Sequence, residues 1–349
     1  MDFSLFYFAD DSTPAGDAGR YELLLEGARF ADRHGFRAVW TPERHFHPFG
    51  GLYPNPSVVG AALAMITSSV AIRAGSVVAP LHDPLRIAEE WSVVDNLSGG
   101  RAGVSLASGW HPVDFALGRV PYADRKRALA DTVERLRGLW RGEAHEVVGG
   151  DGAPAHVRTF PPPVQRELPL WVTSAGDEGT FRTAAAARAG VLTHLLHQDA
   201  DELAAKIAGY RRAAREAHDG WEGHVVLMLH TFLGTDRDEV RATVEEPLSA
   251  YLRSSARLIA ASFGASDPDF DVDALEDEDL DFLVARSFDT YFEQRGLFGT
   301  VEDAAATVER LRGAGVEEIA CLIDFGIGTK TVLDGLRHLD VLREACRAR

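Results

Sequence analysis

Cysteine is scarce: Cys321 and Cys346 are the two in 349 residues. With no framework of spaced cysteines, a disulfide-stapled secreted fold is not expected, and a reducing cytoplasmic compartment is. Basic side chains are also in deficit, 36 Lys and Arg against 53 Asp and Glu, which gives a formal net charge of -17. Binding a phosphate backbone needs clustered Lys and Arg that release counterions, so nucleic acid is excluded as a partner class. No uncharged run approaches the roughly 20 apolar residues that span a bilayer, so no membrane partner is expected. The opening MDFSLFYFADD lacks a basic region and a small-residue cleavage site and reads as a strand, not a leader. GxGxxG and GxxxxGK(S/T) are both missing, which removes Rossmann and P-loop nucleotide sites but leaves a mononucleotide compatible.

What the chain does contain is alternation. Short apolar runs near 2–8, 36–41, 70–79, 102–107, 168–174, 190–196, 223–233 and 317–325 alternate with helical patterns. Eight such strands predict an α/β fold, a single (β/α)8 TIM barrel over 1–349, with insertions after strand 4 and strand 7. Leu203, Ile207, Tyr210 and Ala214 recur at helical spacing, as do Val301, Ala305, Val308 and Leu311. Thr300 is a natural N-cap for the second run, with Asp303 in its first turn and Gly313 and Gly315 at its end. The last helix shows Val332, Leu336, Leu339 and Leu342.

Two stretches break the alternation. Residues 142–167, with Gly149, Gly150, Gly152 and Pro161-Pro162-Pro163, read as a structured loop. Residues 245–297 carry two helical patterns joined by an acidic link, either a solvated helix connection or a binding element. Placed at the catalytic end of a barrel, this insertion is expected to be a lid.

Barrel chemistry sits at the C-terminal ends of the strands. The second strand ends in Trp40 to Phe46, WTPERHF; the fourth in Ser108 to Phe115; the fifth in Trp171 to Phe181; the sixth in Thr193 to Asp199. His230 falls on the seventh and Asp324 on the eighth. Thr173, Ser174, Ala175 and Gly176 lead from a strand into a helix, which suits a phosphate or is an ordinary turn. His45, His111, His194 and His230 are candidate acid–base groups or packed histidines. Trp40 and Trp110 are cofactor walls or core.

Taken together, Trp40–Phe46, the stretch Ala74 to Arg101 (AGSVVAPLHDPLRIAEEWSVVDNLSGGR) and the fifth-strand motif resemble the bacterial-luciferase-like, flavin-dependent monooxygenases. SGWHPVDF, RTFPPPVQRELPLWVTSAG and IACLIDFG are similar to the MupA-like branch associated with natural-product assembly lines. The resemblance implies an FMN-dependent monooxygenase in which reduced FMN, as co-substrate, reacts with O2 to a C4a-hydroperoxide. It implies a non-prolyl cis peptide at Gly75-Ser76 beneath the flavin, a phosphate turn at Ser174, Ala175 and Gly176, and an acid–histidine motif at Glu43 and His45. His45 is the first candidate for proton management, then His111 and His194. A separate flavin reductase, a small or carrier-protein-bound substrate and a homodimer complete the expectation. The chain departs from luciferase in three places: Arg44 stands for the first histidine, Ala107 for a reactive cysteine, and Ser108 for a phosphate-binding arginine. These departures speak against light emission. Arg44 is left as a cation near the flavin or a structural ion pair with Glu43 or another acid.

Other readings stay open at this point. One is a deazaflavin-dependent oxidoreductase on the same fold. Another is a barrel metallohydrolase using His45, His47, His194, His230 and Asp324. A third is a flavin-binding relative without turnover.

Overall fold

Along each strand of the computed structural model the side chains part by the two-residue pleat, one set outward under helices and the other into a ring. The structure describes residues 1–8, 19–118, 120–196, 198–264 and 287–347, with backbone alone over 255–264. In chain order the strands are β1 (Asp2–Phe6), β2 (Ala38–Thr41), β3 (Ala71–Val78), β4 (Ala102–Ala107), β5 (His145–Val148), β6 (Pro154–Val157), β7 (Leu170–Ser174), β8 (Gly190–His194), β9 (Val225–Leu233), β10 (Leu297–Gly299) and β11 (Glu318–Leu322). The helices are α1 (Glu22–His34), α2 (Pro56–Ala64), α3 (Pro84–Ser98), α4 (Arg125–Trp140), α5 (Glu178–Ala186), α6 (Ala200–Ala217), α7 (Arg237–Gly264), α8 (Val301–Gly313) and α9 (Thr329–Arg347).

Eight parallel strands close the barrel in the order β1-β2-β3-β4-β7-β8-β9-β11, and β11 returns to β1. Each expected strand is present, and β10 extends the end of β9 outside the ring. The helix patterns also hold. Leu203, Ile207, Tyr210 and Ala214 are buried on α6, and Thr300 with Asp303 forms a capping box on α8. The 142–167 stretch needs correction: it holds an antiparallel hairpin, β5 with β6, not a loop alone. Of the 245–297 insertion, the acidic link lies outside the described residues, while α7 is continuous from Arg237 to Gly264. Among the described residues no helix is long and apolar enough to cross a membrane.

The lower half of the ring is filled by a polar plug. Arg73 meets Glu318 at 2.9 and 3.1 Å, and Glu318 also accepts from Ser4 at 2.7 Å and from Trp40 Nε1 at 3.1 Å. The Arg73 guanidinium sits 4.9 Å from the Trp40 ring centroid and 4.5 Å from that of Trp171. A buried ion pair survives desolvation only when its remaining lone pairs and protons are satisfied, which Ser4 and Trp40 do here. The plug sits in the N-terminal half of the barrel, away from the strand ends that carry the candidate residues.

Candidate active site

Glu43, just past β2, is buried and gathers three donors. Its Oε1 takes His45 Nε2 at 2.8 Å and His82 Nε2 at 2.6 Å, and its Oε2 takes the Val78 N–H at 2.6 Å. Burial alone would raise the Glu43 carboxyl, but the two imidazoles and the amide outweigh it and hold it below the ordinary value. His82 moves the other way: burial opposes its charge, yet Glu43 and Glu90 raise its proton affinity. His82 escaped the sequence reading. It stands 39 residues from its acid, in a loop after β3, and spacing along the chain carries no trace of that meeting.

Arg44 turns away from Glu43. It is 2% exposed and pairs with Asp114 at 2.6 Å, and Asp114 takes His111 Nδ1 at 3.2 Å. Its guanidinium lies 4.9 Å from the ring centroid of Trp110. Arg44 forms its ion pair with Asp114, not with Glu43. Arg44 and His111 thereby tie the loop after β2 to the loop after β4. His111, like His45, is engaged by a carboxylate, but through Nδ1 and with Asp114, which it shares with Arg44.

At the top of β3 the register against β4 slips: Gly75 faces Ser105, Val77 faces Leu106, and Ser76 is the extra residue. The Gly75-Ser76 peptide is cis. Ser76 Oγ reaches Thr173 Oγ1, which is also 2.7 Å from Ser105 Oγ. These three hydroxyls form a shelf inside the mouth, and the indoles of Trp40 and Trp171 lie in the layer of the plug. Trp40 is fully buried, with Nε1 bonded to Ser4 and Glu318. It lies in the floor beneath the shelf. A Cβ on Gly75 would stand 2.6 Å from Phe6 and 3.1 Å from Trp40, so the shelf rests directly on that floor. Ser108 is half-buried and Trp110 exposed at the rim above β4.

The phosphate turn differs from expectation in its donors. Asp177 caps α5, its carboxylate accepting from Gly179 N and Thr180 N, so those two amides of the first turn are not on offer. The Ser174 hydroxyl is likewise used within the turn, donating to Asp177 O and accepting from Gly176 N. What remains for an anion is the exposed Ala175, the close approach that a Cβ-free Gly176 at φ 110° allows, and two flanking ammoniums, of which Lys206 also donates to Gln198 Oε1 at 2.9 Å. Lys126 neutralises Asp177 at 2.6 Å, and Lys206 would stand 3.4 Å from a Cβ on Gly176. A glycine with lysines on both sides suits a phosphate monoester, so the residues present fit a mononucleotide.

The far side of the mouth is aromatic. His194 is half-buried at the end of β8. His230 on β9 is buried and enclosed by Tyr251, Tyr291 and Phe325, with ring centroids 4.7, 5.7 and 5.5 Å away. Tyr251 comes from α7 and also meets Phe49, in the loop after β2, at 4.8 Å. Tyr251 of α7 thereby joins the loop after β2 to His230 on β9. Asp324 accepts from Tyr53 at 3.0 Å, and His47 Nδ1 from Phe49 N at 3.0 Å. Among the described residues no three of His, Cys, Asp and Glu are grouped to hold a metal.

Comparison with known proteins agrees with this geometry. A sequence model of the luciferase-like monooxygenases matches residues 1–318. The chain is 28% identical over 251 residues to the oxygenase component of flavin-dependent trigonelline monooxygenase from Acinetobacter baylyi, covering 70% of this chain and 69% of that one. Among solved structures, monooxygenase RslO1 from Streptomyces bottropensis superposes with a TM-score of 0.80 at 23% identity, over 98% of both chains. The oxygenating constituent of 3,6-diketocamphane monooxygenase from Pseudomonas putida, in complex with FMN, gives 0.74 at 16% identity, over 97% of this chain and 96% of that one. From residue 1 to residue 318, this chain belongs to the luciferase-like monooxygenase family.

Proposed function

We propose that this chain is the oxygenase component of a two-component FMN-dependent monooxygenase. The observation that carries this is the meeting, at one end of the barrel, of the hydroxyl shelf, the Glu43-held histidines and a lysine-flanked glycine turn. Reduced FMN supplies the electrons with which oxygen is activated. Ala175, Gly176, Lys126 and Lys206 would hold its phosphate, and Gly75, Ser76 and Thr173 its ring. His45 manages protons there, while His194 and His230 face the substrate side. Tyr251 and the rest of α7 exclude water, which favours oxygen transfer over loss of peroxide.

The trigonelline relative is an oxygenase component, and this supports a separate reductase as the source of reduced flavin. The substrate is a small organic or carrier-bound biosynthetic intermediate. Val58, Met65, Val93 and Leu97 are exposed on and beside α2 and α3, an apolar face that suits a homodimer. The test is anaerobic titration with reduced FMN and with a reduced deazaflavin, followed by oxygen and a panel of nitrogen heterocycles, phenols and ketones. FMN preference with an oxygenated product is expected. Deazaflavin preference, or only peroxide with every compound, would overturn the reading.

A further inference from the structure

Glu43 carries two histidines on a single oxygen, His45 at 2.8 Å and His82 at 2.6 Å, while its other oxygen is spent on Val78 N–H. Both rings satisfy that oxygen by donating from Nε2. One negative charge then faces two imidazoles in a buried place, and one positive charge balances it. A second would leave an uncompensated cation out of water, which is costly. The three groups share one oxygen, so a cation on one ring bears on the other through Glu43.

The two rings are not equivalent. The His82 side chain is 29% exposed and that of His45 10%, so His82 loses less hydration when charged. His82 and Glu90 line the same small cavity between α2 and α3, with Asn55, Ser57 and Trp91. Glu90 is held there by Ser57 Oγ and, at 2.7 Å, by Arg86 Nε. The charged groups facing His82 are thus Glu43 from the end of β2, and Glu90 with its partner Arg86 from α3. Among the described residues Glu43 is the one acid hydrogen-bonded to His45.

We propose that His82 is a positioning residue for the chemistry at the mouth: through Glu43 it takes the shared cation and keeps His45 neutral, with Nδ1 as its basic nitrogen. This deepens the oxygenase reading and rests on it for what the base serves. When His45 Nδ1 takes a proton from a group at the mouth, His82 releases one from its own Nδ1 into the cavity beside Glu90. One proton enters and one leaves, and the net charge of the trio is unchanged. The mouth can exchange protons in this way without being opened to water.

The test uses the full chain, without flavin, labelled with 15N-histidine. Imidazole nitrogens are followed from about pH 5 to about pH 9, the range in which histidines titrate. In the wild type, His45 is expected as the neutral Nε2–H form while His82 titrates. In His82→Gln, whose amide still donates to Glu43, the proton affinity of His45 rises about tenfold, one unit. Glu90→Gln is the second variant: His82 gives up its proton at lower pH and His45 gains affinity in step. A structural anchor alone would move neither titration. If His45 titrates alike in all three proteins, the proposal is overturned. Reduced FMN titrated anaerobically into the same samples separates the two ideas. Coupled histidines without flavin binding remove the oxygenase reading alone, and flavin binding with independent histidines removes the coupling alone.

Discussion

His230 Nε2 is buried with no hydrogen-bond partner among the described residues. An orphaned buried polar atom costs about 1–3 kcal/mol, and such a cost is borne where a bound molecule completes the bond. Burial, and secondarily His194, pushes the proton affinity of His230 down to about 3. The unfolded chain, at the ordinary 6.5, takes up a proton that the folded chain refuses. Stability from this residue is therefore full above pH 6.5 and falls toward pH 3, at about 1.4 kcal/mol per pH unit. His230→Leu should be at least as stable as wild type at neutral pH and should lack that acid slope, while oxygenation of substrate drops. Urea unfolding at neutral and mildly acid pH checks this, and parallel slopes in both proteins would sink it. At this scale the sequence spoke for Glu43, His45 and His230 because each sits at a strand end. It was silent on His82 and on the pairing of Arg44, because the partners lie 39 and 70 residues away.

Elements were more legible than contacts. Strands facing helices on one side and the ring on the other wrote long apolar runs, and α6, α8 and α9 wrote clear helical periods. The β5–β6 hairpin wrote neither. Its residues alternate half-buried with exposed, and its Gly149-Gly150-Asp151-Gly152 link looks like any loop. Tyr251 on α7 gives a direct prediction. Tyr251 bridges His230 and Phe49 and is only partly buried, so Tyr251→Ala should cost at most about 3 kcal/mol in stability. The larger effect should fall on coupling, with FMN still bound but more peroxide released per reduced flavin consumed. Unchanged peroxide yield, measured beside product, would remove α7 as a cover.

The barrel as a whole was visible in the sequence, and its plug was not, because Arg73 and Glu318 lie inside strands that otherwise read as apolar. Breaking that pair has an asymmetric outcome. Arg73→Leu alone should cost about 3–5 kcal/mol by stranding the Glu318 carboxylate, while the double change to leucines should recover most of it. Thermal unfolding of the two variants and Glu318→Leu tests this, and a double variant as weak as the worse single one would refute it. The plug also sets the traffic of the molecule. With one end stopped, a flavin and its substrate would share the other as their doorway, and whatever lodges deepest would enter first and leave last. If flavin is that deepest guest, turnover is a queue with a compulsory order. Substrate arriving early blocks the door, so high substrate should inhibit competitively against reduced flavin.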